Sequence, residues 1–296
     1  MSDFISANLP YLLSGISVGG QYALIAIGYT MVYGILRLIN FAHSDVFMVA
    51  GLLVIYLQTT GLPLYVTIPI MIVLTVVLAF CIEKFAYKPL RSAPRMSVMI
   101  SAIGVSYLIQ NVALYVTGGL NKMYPDIPFL TETVTIFGAS TKRVTLITPV
   151  LVVILVVALV LLINKTKVGM AMRASSVDFE TSRLMGIRIN SIISVTFIIG
   201  SVLAAAGSVL YFSNYPSIAP TSGAMPGLKA FVAAVFGGIG SIPGAVVGAF
   251  IIGICENLLK MFNLSEFSDA FTFALLIVIL VVKPTGLFGE KQYDKV

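Results

Sequence analysis

Read for polarity alone, the chain is a series of long apolar runs separated by short polar clusters. Residues 9–36, 64–82, 98–118, 145–163, 189–212 and 230–255 contain no Asp, Glu, Lys, Arg or His. A spanning helix needs roughly 20 apolar residues to cross ~30 Å of hydrocarbon, so each run predicts a membrane helix. Two shorter runs, 46–58 and 270–282, predict helices completed by their flanks. A membrane barrel would instead show ~10-residue segments of alternating polarity, which this chain does not have. The pattern predicts an all-α polytopic membrane protein of about eight or nine segments, some broken or re-entrant. One domain is expected over residues 1–296.

Two places interrupt the apolar pattern. The run 230–255 reads AFVAAVFGGIGSIPGAVVGAFIIGIC. Its glycines and proline, including Gly238, Gly240 and Pro243, suit a helix interior poorly. Freed backbone groups at membrane depth must be buried in protein or line a wet cavity. The stretch is therefore either a broken helix at a translocation path or a short loop between closely packed helices. It supplies one long span or two half-helices. Gly240, Gly244 and Gly248 recur every four residues, which predicts a small-residue stripe for close helix contact.

The second interruption is RLINFAHSDV at 37–46, with Asn40, His43 and Asp45 between two apolar regions. Polar side chains at membrane depth are costly. In one reading this is an interfacial turn, in which Asn40 or Ser44 caps a helix beginning near Asp45 and that carboxylate faces the helix dipole. In the other, the N-terminus of a broken helix faces a polar passage. His43 and Asp45 are two apart and point to different sides of a helix.

Composition agrees with lipid as part of the solvent. Of 296 residues, 58% are hydrophobic and 10% charged, against about 25% charged in soluble domains. The +6 formal charge lies in particular loops, which argues against a nucleic-acid partner. One histidine and two distant cysteines, Cys81 and Cys255, offer neither a zinc set nor a disulfide framework. No cofactor is expected. The N-terminus lacks the positive region of a cleaved signal peptide. Carboxylates near the membrane are few, with Asp45, Glu83 and Glu256 alone close to apolar segments and the last two at segment ends. Ion-driven carriers commonly hold such groups inside the membrane, so a solute mover of this kind is expected to draw energy from a partner.

Lys and Arg concentrate in cytoplasmic loops. The basic loops are EKFAYKPLRSAPRM, with Lys84, Lys88, Arg91 and Arg95, and NKTKVGMAMRASSVDFETSRLMGIR, with Lys165, Lys167, Arg173, Arg183 and Arg188. Both are expected inside. The loop 119–144, with a β-prone VTIFG patch, and the uncharged loop 213–225 are then outside. The N-terminus is expected outside, and the C-terminal tail, with Lys291 and Lys295, inside.

The loop at 164–188 holds the most specific signal, GMAMRASSVDFETSRLMGI at 169–187. Met170, Ala171, Ala174, Phe179 and Leu184 suggest a rough apolar face, while Arg173, Asp178, Glu180 and Arg183 offer polar pairing. On pattern alone, a solvated surface helix explains it equally well.

The run ETSRLMG has the Glu-small-small-x-x-x-Gly spacing of the permease loop that docks onto ATPases in ABC importers. Thr181 and Ser182 stand where many members have alanine. The wider chain resembles the branched-chain amino-acid permeases of bacterial ABC uptake systems. The resemblance runs through YALIAIGYTMVYGILRLINFAH at 22–43, AYKPLRS at 86–92, ISAIGVSYLIQN at 100–111, MRASSVDFETSRLMGI at 172–187 and KAFVAAVFGGIGSIPGAVVG at 229–248. Ser44 replaces the family's usual glycine, and Arg37 an uncharged residue.

The resemblance implies a bacterial inner-membrane subunit paired with a second, similar permease. Two cytosolic ATPases would drive it and an extracytoplasmic solute-binding protein would supply it. Its solute would be leucine, isoleucine, valine or a related small amino acid or amide. Arg173, Asp178, Glu180, Arg183 and Gly186 would couple it to the ATPases, with Gly186 turning the chain back to the membrane. The competing readings are a stand-alone channel or ion-coupled carrier and, more remotely, a membrane enzyme.

Overall fold

The computed structural model describes residues 2–91, 93–136 and 139–289. Among them the chain is almost entirely helical. Helices α1 (Ser2–Leu36), α2 (His43–Thr59), α3 (Leu64–Ile82) and α4 (Arg95–Thr117) come first. After the short α5 (Pro128–Thr131) follow α6 (Arg143–Lys165), α7 (Lys167–Val177), α8 (Phe179–Leu184) and α9 (Ile189–Asn214). The last three are α10 (Ala224–Gly237), α11 (Ile242–Met261) and α12 (Ser268–Val282).

Among the described residues, seven helices are long and apolar enough to cross a membrane, and α2 and α10 are shorter apolar helices. The expected count of segments and their broken character both hold. A π-helical turn, Glu83–Tyr87, extends α3.

The helix ends follow from local chemistry. Arg37 adopts φ +55°, which stops α1 at Leu36. Gly118 in the left-handed region closes α4, as glycine after a helix commonly does. The run 230–255 forms two helices, because Gly238 at φ +108° ends α10 and Ser241 starts α11 by accepting from the Gly244 N–H at 3.2 Å. Pro243 lies in the first turn of α11, where its missing N–H removes no intrahelical bond.

Burial sorts the helices into layers. The apolar window of α1 is 72% buried, that of α9 61%, and that of α12 only 11%. Helix α1 is thus the centre of the bundle, packed on α9, α11, α10 and α6, and α12 lies at its edge. Gly15 and Gly19 of α1 meet Ile254 and Phe250 of α11, respectively, which makes the pair antiparallel. Helices α10 and α11 form a tight antiparallel hairpin: Gly237 meets Gly244, and Ala233 meets Gly248, backbone to backbone. The small-residue stripe therefore holds at Gly244 and Gly248. Gly240 does not share it: it sits in the turn at φ +101° with open space where a Cβ would be.

One end of the bundle carries two small antiparallel sheets. Strand β1 (Lys122–Met123) pairs with β4 (Ser217–Ile218), and β2 (Thr133–Ile136) with β3 (Ala139–Lys142). The β-prone patch is a strand up to Ile136; Phe137 and Gly138 lie outside the described residues. Loops 119–144 and 213–225 thus share one face. Helices α7 and α8 lie at the opposite end, beside Arg37 at the end of α1, where Arg37 donates to the Ser176 carbonyl at 3.3 Å. Residues 283–289 return to that end, with Leu287 and Phe288 N–H groups bonded to the Phe236 and Gly237 carbonyls. The chain's two described ends thus lie on opposite faces. Lys291 and Lys295 fall outside the described residues.

Candidate functional site

The segment 37–42 does not stay at the surface. It turns back so that the His43 ring enters a notch between Gly28 of α1 and Gly200 of α9. A Cβ on Gly28 would overlap that ring, and one on Gly200 would sit 3.5 Å from Cε1. At 1.5 Å per residue, Gly28 is about 12 Å from the Leu36 end of α1, and Gly200 about 16 Å from the Ile189 end of α9. Helix α2 therefore begins inside the bundle. Helix α10 begins against it, with Gly223 packed on the Ser44 carbonyl and Gly227 on the Ser44 side chain.

Asn40 and Ser44 serve as fasteners and not as caps, which corrects that part of the capping reading, while Asp45 does lie in the first turn of α2. The residue at the N-cap of α2 is Ala42, and no side chain caps it. Asn40 accepts instead from the Tyr87 hydroxyl at 2.9 Å, and Ser44 donates back to the Phe41 carbonyl at 3.3 Å. Asp45 is fully buried and accepts from Ser106 at 2.5 Å and Gln110 at 3.0 Å, both on α4. His43 and Asp45 do point to different sides, one to α1 and α9, the other to α4. His43 Nε2 is buried with no hydrogen-bond partner.

The other candidate path residues are elsewhere. Gly238 packs on Gly286, Phe288 and Gly289. With Gly240 and Pro243 it forms the hairpin turn at the far end of α10 from Ser44, about 21 Å along the helix axis. The structure does not bring the two groups together.

At the end opposite the sheets, a cleft of about 940 Å³ is bounded by Leu36, Arg91, Phe179, Glu180, Arg183 and Asn190, among others. On one wall, Arg91 pairs with the buried Glu83 and with Asn190, while Ser194 donates to Glu83 at 3.0 Å. Burial lowers the Arg91 guanidinium from its ordinary value, and the Glu83 carboxylate opposes that shift. The other wall is α8. Asp178 caps it, accepting from the Glu180 N–H at 2.9 Å and the Thr181 N–H at 3.3 Å. Gly186 at φ +83° then reverses the chain into α9.

Met170, Phe179 and Leu184 of the rough apolar face expected here are exposed. Gly169, Met172 and Ser175 of α7 are buried, because Gly169 must fit directly on Ile163. Val177, Leu184 and Met185 are 83%, 86% and 79% exposed. Arg173, Asp178, Glu180, Arg183 and Gly186 are all exposed. Exposed apolar and charged residues thus form a platform along residues 173–186.

Sequence reasoning missed one cluster. Glu256 is not at a segment end but within α11, 6% exposed, and Lys229 in α10 is 7% exposed. Their ion pair is 3.2 Å long. The expected lack of intramembrane carboxylates thus fails at Glu256. The signal was present as a lysine five residues into an apolar helix, at a position read only as part of a family motif.

Among the described residues no group of three or more His, Cys, Asp and Glu side chains could hold a metal. Cys81 and Cys255 are free and half-buried.

A layered bundle of apolar helices, with two of them starting inside it and an exposed platform at one end, defines a multi-pass membrane protein of the transport-permease class. Residues 11–280 match the family described as the permease component of branched-chain amino acid transport systems, and the chain belongs to that family. It is 39% identical to the high-affinity branched-chain amino acid transport system permease protein BraD of Pseudomonas aeruginosa, across 97% of this chain and 98% of that one. It is 37% identical to the LivH permease protein of the corresponding system of Escherichia coli and 36% identical to that of Salmonella typhimurium, over the full length of both chains in each case. These relatives do not favour the channel or ion-coupled alternative.

Proposed function

We propose that this chain is the membrane permease of an ATP-driven importer for branched-chain amino acids. It works beside a second, similar permease, with two cytosolic ATPases and an extracytoplasmic solute-binding protein. ATP hydrolysis belongs to those partners, not to this chain. The α7–α8 end faces the cytoplasm of a bacterial cell and the small sheets face outward, so the N-terminus is outside and the C-terminus inside.

The observation that carries this reading is the platform of Val177, Leu184 and Met185 beside Glu180 and Arg183, on the rim of the cleft. Apolar residues this exposed on a water-facing segment are costly to leave bare, and an ATPase surface would cover them. Glu180 and Arg183 would set the register of docking, and Arg173 would border it. Asp178 acts indirectly by holding α8 rigid through its cap, and Gly186 by fixing where α8 meets α9.

A push on the platform then has two routes into the membrane. One is through Gly186 into α9, whose Gly200 holds the His43 ring. The other is through Ser176 to Arg37, at the start of the break that carries Asn40, His43 and Asp45. A two-state rearrangement of packed helices would open the path near these residues. The turn of Gly238, Gly240 and Pro243 is the pivot on which α10 and α11 would move with it.

Reconstitution tests the reading. With ATPases and binding protein, leucine uptake should require ATP. Glu180→Lys, which inverts the charge at the docking rim, should cut uptake by about tenfold or more while the chain still inserts and purifies. Normal uptake by that variant would remove Glu180 from its role. Uptake without any ATPase would remove the importer reading itself.

A further inference from the structure

Lys229, Glu256, Lys260 and Asp269 form one connected cluster. Glu256 accepts from the Tyr22 hydroxyl at 2.9 Å and from Lys260 at 3.0 Å, and Lys229 forms an ion pair with it at 3.2 Å. Lys229 also reaches Asp269 at the start of α12, at 2.7 Å. Two cations and two anions balance. A cavity of about 130 Å³ opens beside them; Lys229, Glu256 and Lys260 line it together with Tyr211, Tyr215 and Met225, among others, and Asp269 does not. Its mouth is at the end that carries the sheets, where Tyr215 and Met225 are 39% and 41% exposed.

Fastening alone does not account for this chemistry. A buried ion pair can usually be exchanged for packed apolar residues at no loss of stability. Here charges of both signs are set around a void. Lys229 meets Glu256 and Asp269 as ion pairs, and Glu256 accepts hydrogen bonds from Tyr22 and Lys260. A carboxylate has about four lone-pair positions and an ammonium three donors, so both signs keep capacity for a ligand carrying both. The Tyr211 and Tyr215 rings, 5.0 Å apart, offer aromatic faces of the kind that attract an ammonium.

We infer that this cavity is a binding subsite for the zwitterionic headgroup of an α-amino acid on the outward side of the permease. Lys229 and Lys260 receive the carboxylate. Glu256 and the Tyr211–Tyr215 faces receive the ammonium. The volume admits the headgroup but not a bulky solute, so an aliphatic side chain lies along Met225 and Pro226 toward the mouth. The inference rests on the importer reading in taking the solute moved to be an amino acid and the sheet-bearing end to face outward.

The test uses the permease assembled with its ATPases in nanodiscs, without the binding protein. Saturation-transfer NMR is recorded with L-leucine, L-leucinamide and the des-amino acid of leucine. Leucine should give a signal, and each analogue, lacking one charge, should bind about tenfold more weakly, as expected for one lost charge-assisted hydrogen bond. The neutral pair Lys229→Met with Glu256→Gln should lose the leucine signal and, in proteoliposomes holding the ATPases and supplied with the binding protein, show a comparable fall in ATP-driven uptake. Equal signals from the three probes would overturn the subsite. So would full leucine binding or uptake by a well-assembled double variant. If that variant does not assemble, the analogue series on the unaltered protein decides alone. Selective leucine binding without ATP-driven uptake would instead sink the importer reading and leave the subsite standing.

Discussion

The membrane bundle is interrupted at residues 37–42 and again at residues 238–241, and the two breaks are held in opposite ways. At the first, side chains do the holding: Asn40 to Tyr87, Asp45 to Ser106 and Gln110, and the His43 ring in the notch of Gly28 and Gly200. At the second, side chains are nearly absent from the contact. Gly237 lies on Gly244, Ala233 on Gly248 and Gly238 on Gly286 and Gly289, backbone against backbone. The first break is made specific by directional hydrogen bonds between distant helices. The second is made specific by closeness, which only small residues permit.

This difference sets the size of the responses to substitution. The largest is expected at the glycine hairpin. Gly244→Leu would drive a side chain into the Gly237 backbone, which has no flexible end to yield. Overpacking of that kind costs about 3 kcal/mol or more. The variant should be lost from detergent extracts as measured by size-exclusion chromatography, and a monodisperse, abundant protein would contradict the packing. Next comes Asp45→Ala, which removes the buried carboxylate to which Ser106 and Gln110 of α4 both donate. A hydrogen bond to a charged group is worth about 1.5–3 kcal/mol, so thermal melting of the purified protein should fall clearly. Asp45→Asn keeps an acceptor and should fall less. An equal fall for both would mean that charge, not hydrogen bonding, is what α4 supplies. The smallest effect is expected at Gly240. Its Cβ position is open, so Gly240→Ala meets only backbone strain at φ +101°, about 1–2 kcal/mol. Abundance close to the unaltered protein with slightly earlier melting would confirm that Gly240 serves the turn alone.

The legible parts of the fold are those governed by local rules. Charge-free runs place α1, α3, α4, α6, α9 and α11, because the hydrocarbon thickness sets a length that sequence alone must meet. The glycines at 238 and 240 announce the end of α10, since positive φ is a property of single residues. The opposed functions of the two breaks were not legible. Whether Asn40 caps its own helix or reaches Tyr87 depends on where the π-helical turn after α3 lies. Likewise, the pattern of 169–187 left open how far the segment is solvated, and the structure buries Gly169 and Met172 of α7 against α6 while Leu184 of α8 is exposed.

By itself, then, the sequence determined that this is a multi-helix membrane permease and which family it belongs to. It also placed most of the apolar helices, since hydropathy and turn residues mark them, while leaving open whether 230–255 crosses once or twice. Only the tertiary structure decided which polar side chains meet. It brought Lys229 of α10 to Glu256 of α11 and Asp269 of α12, and Asp45 of α2 to α4. The physical reason is range: a hydrogen bond or ion pair acts over a few ångströms between residues that can be hundreds of positions apart, and no local pattern encodes which helix will be the neighbour.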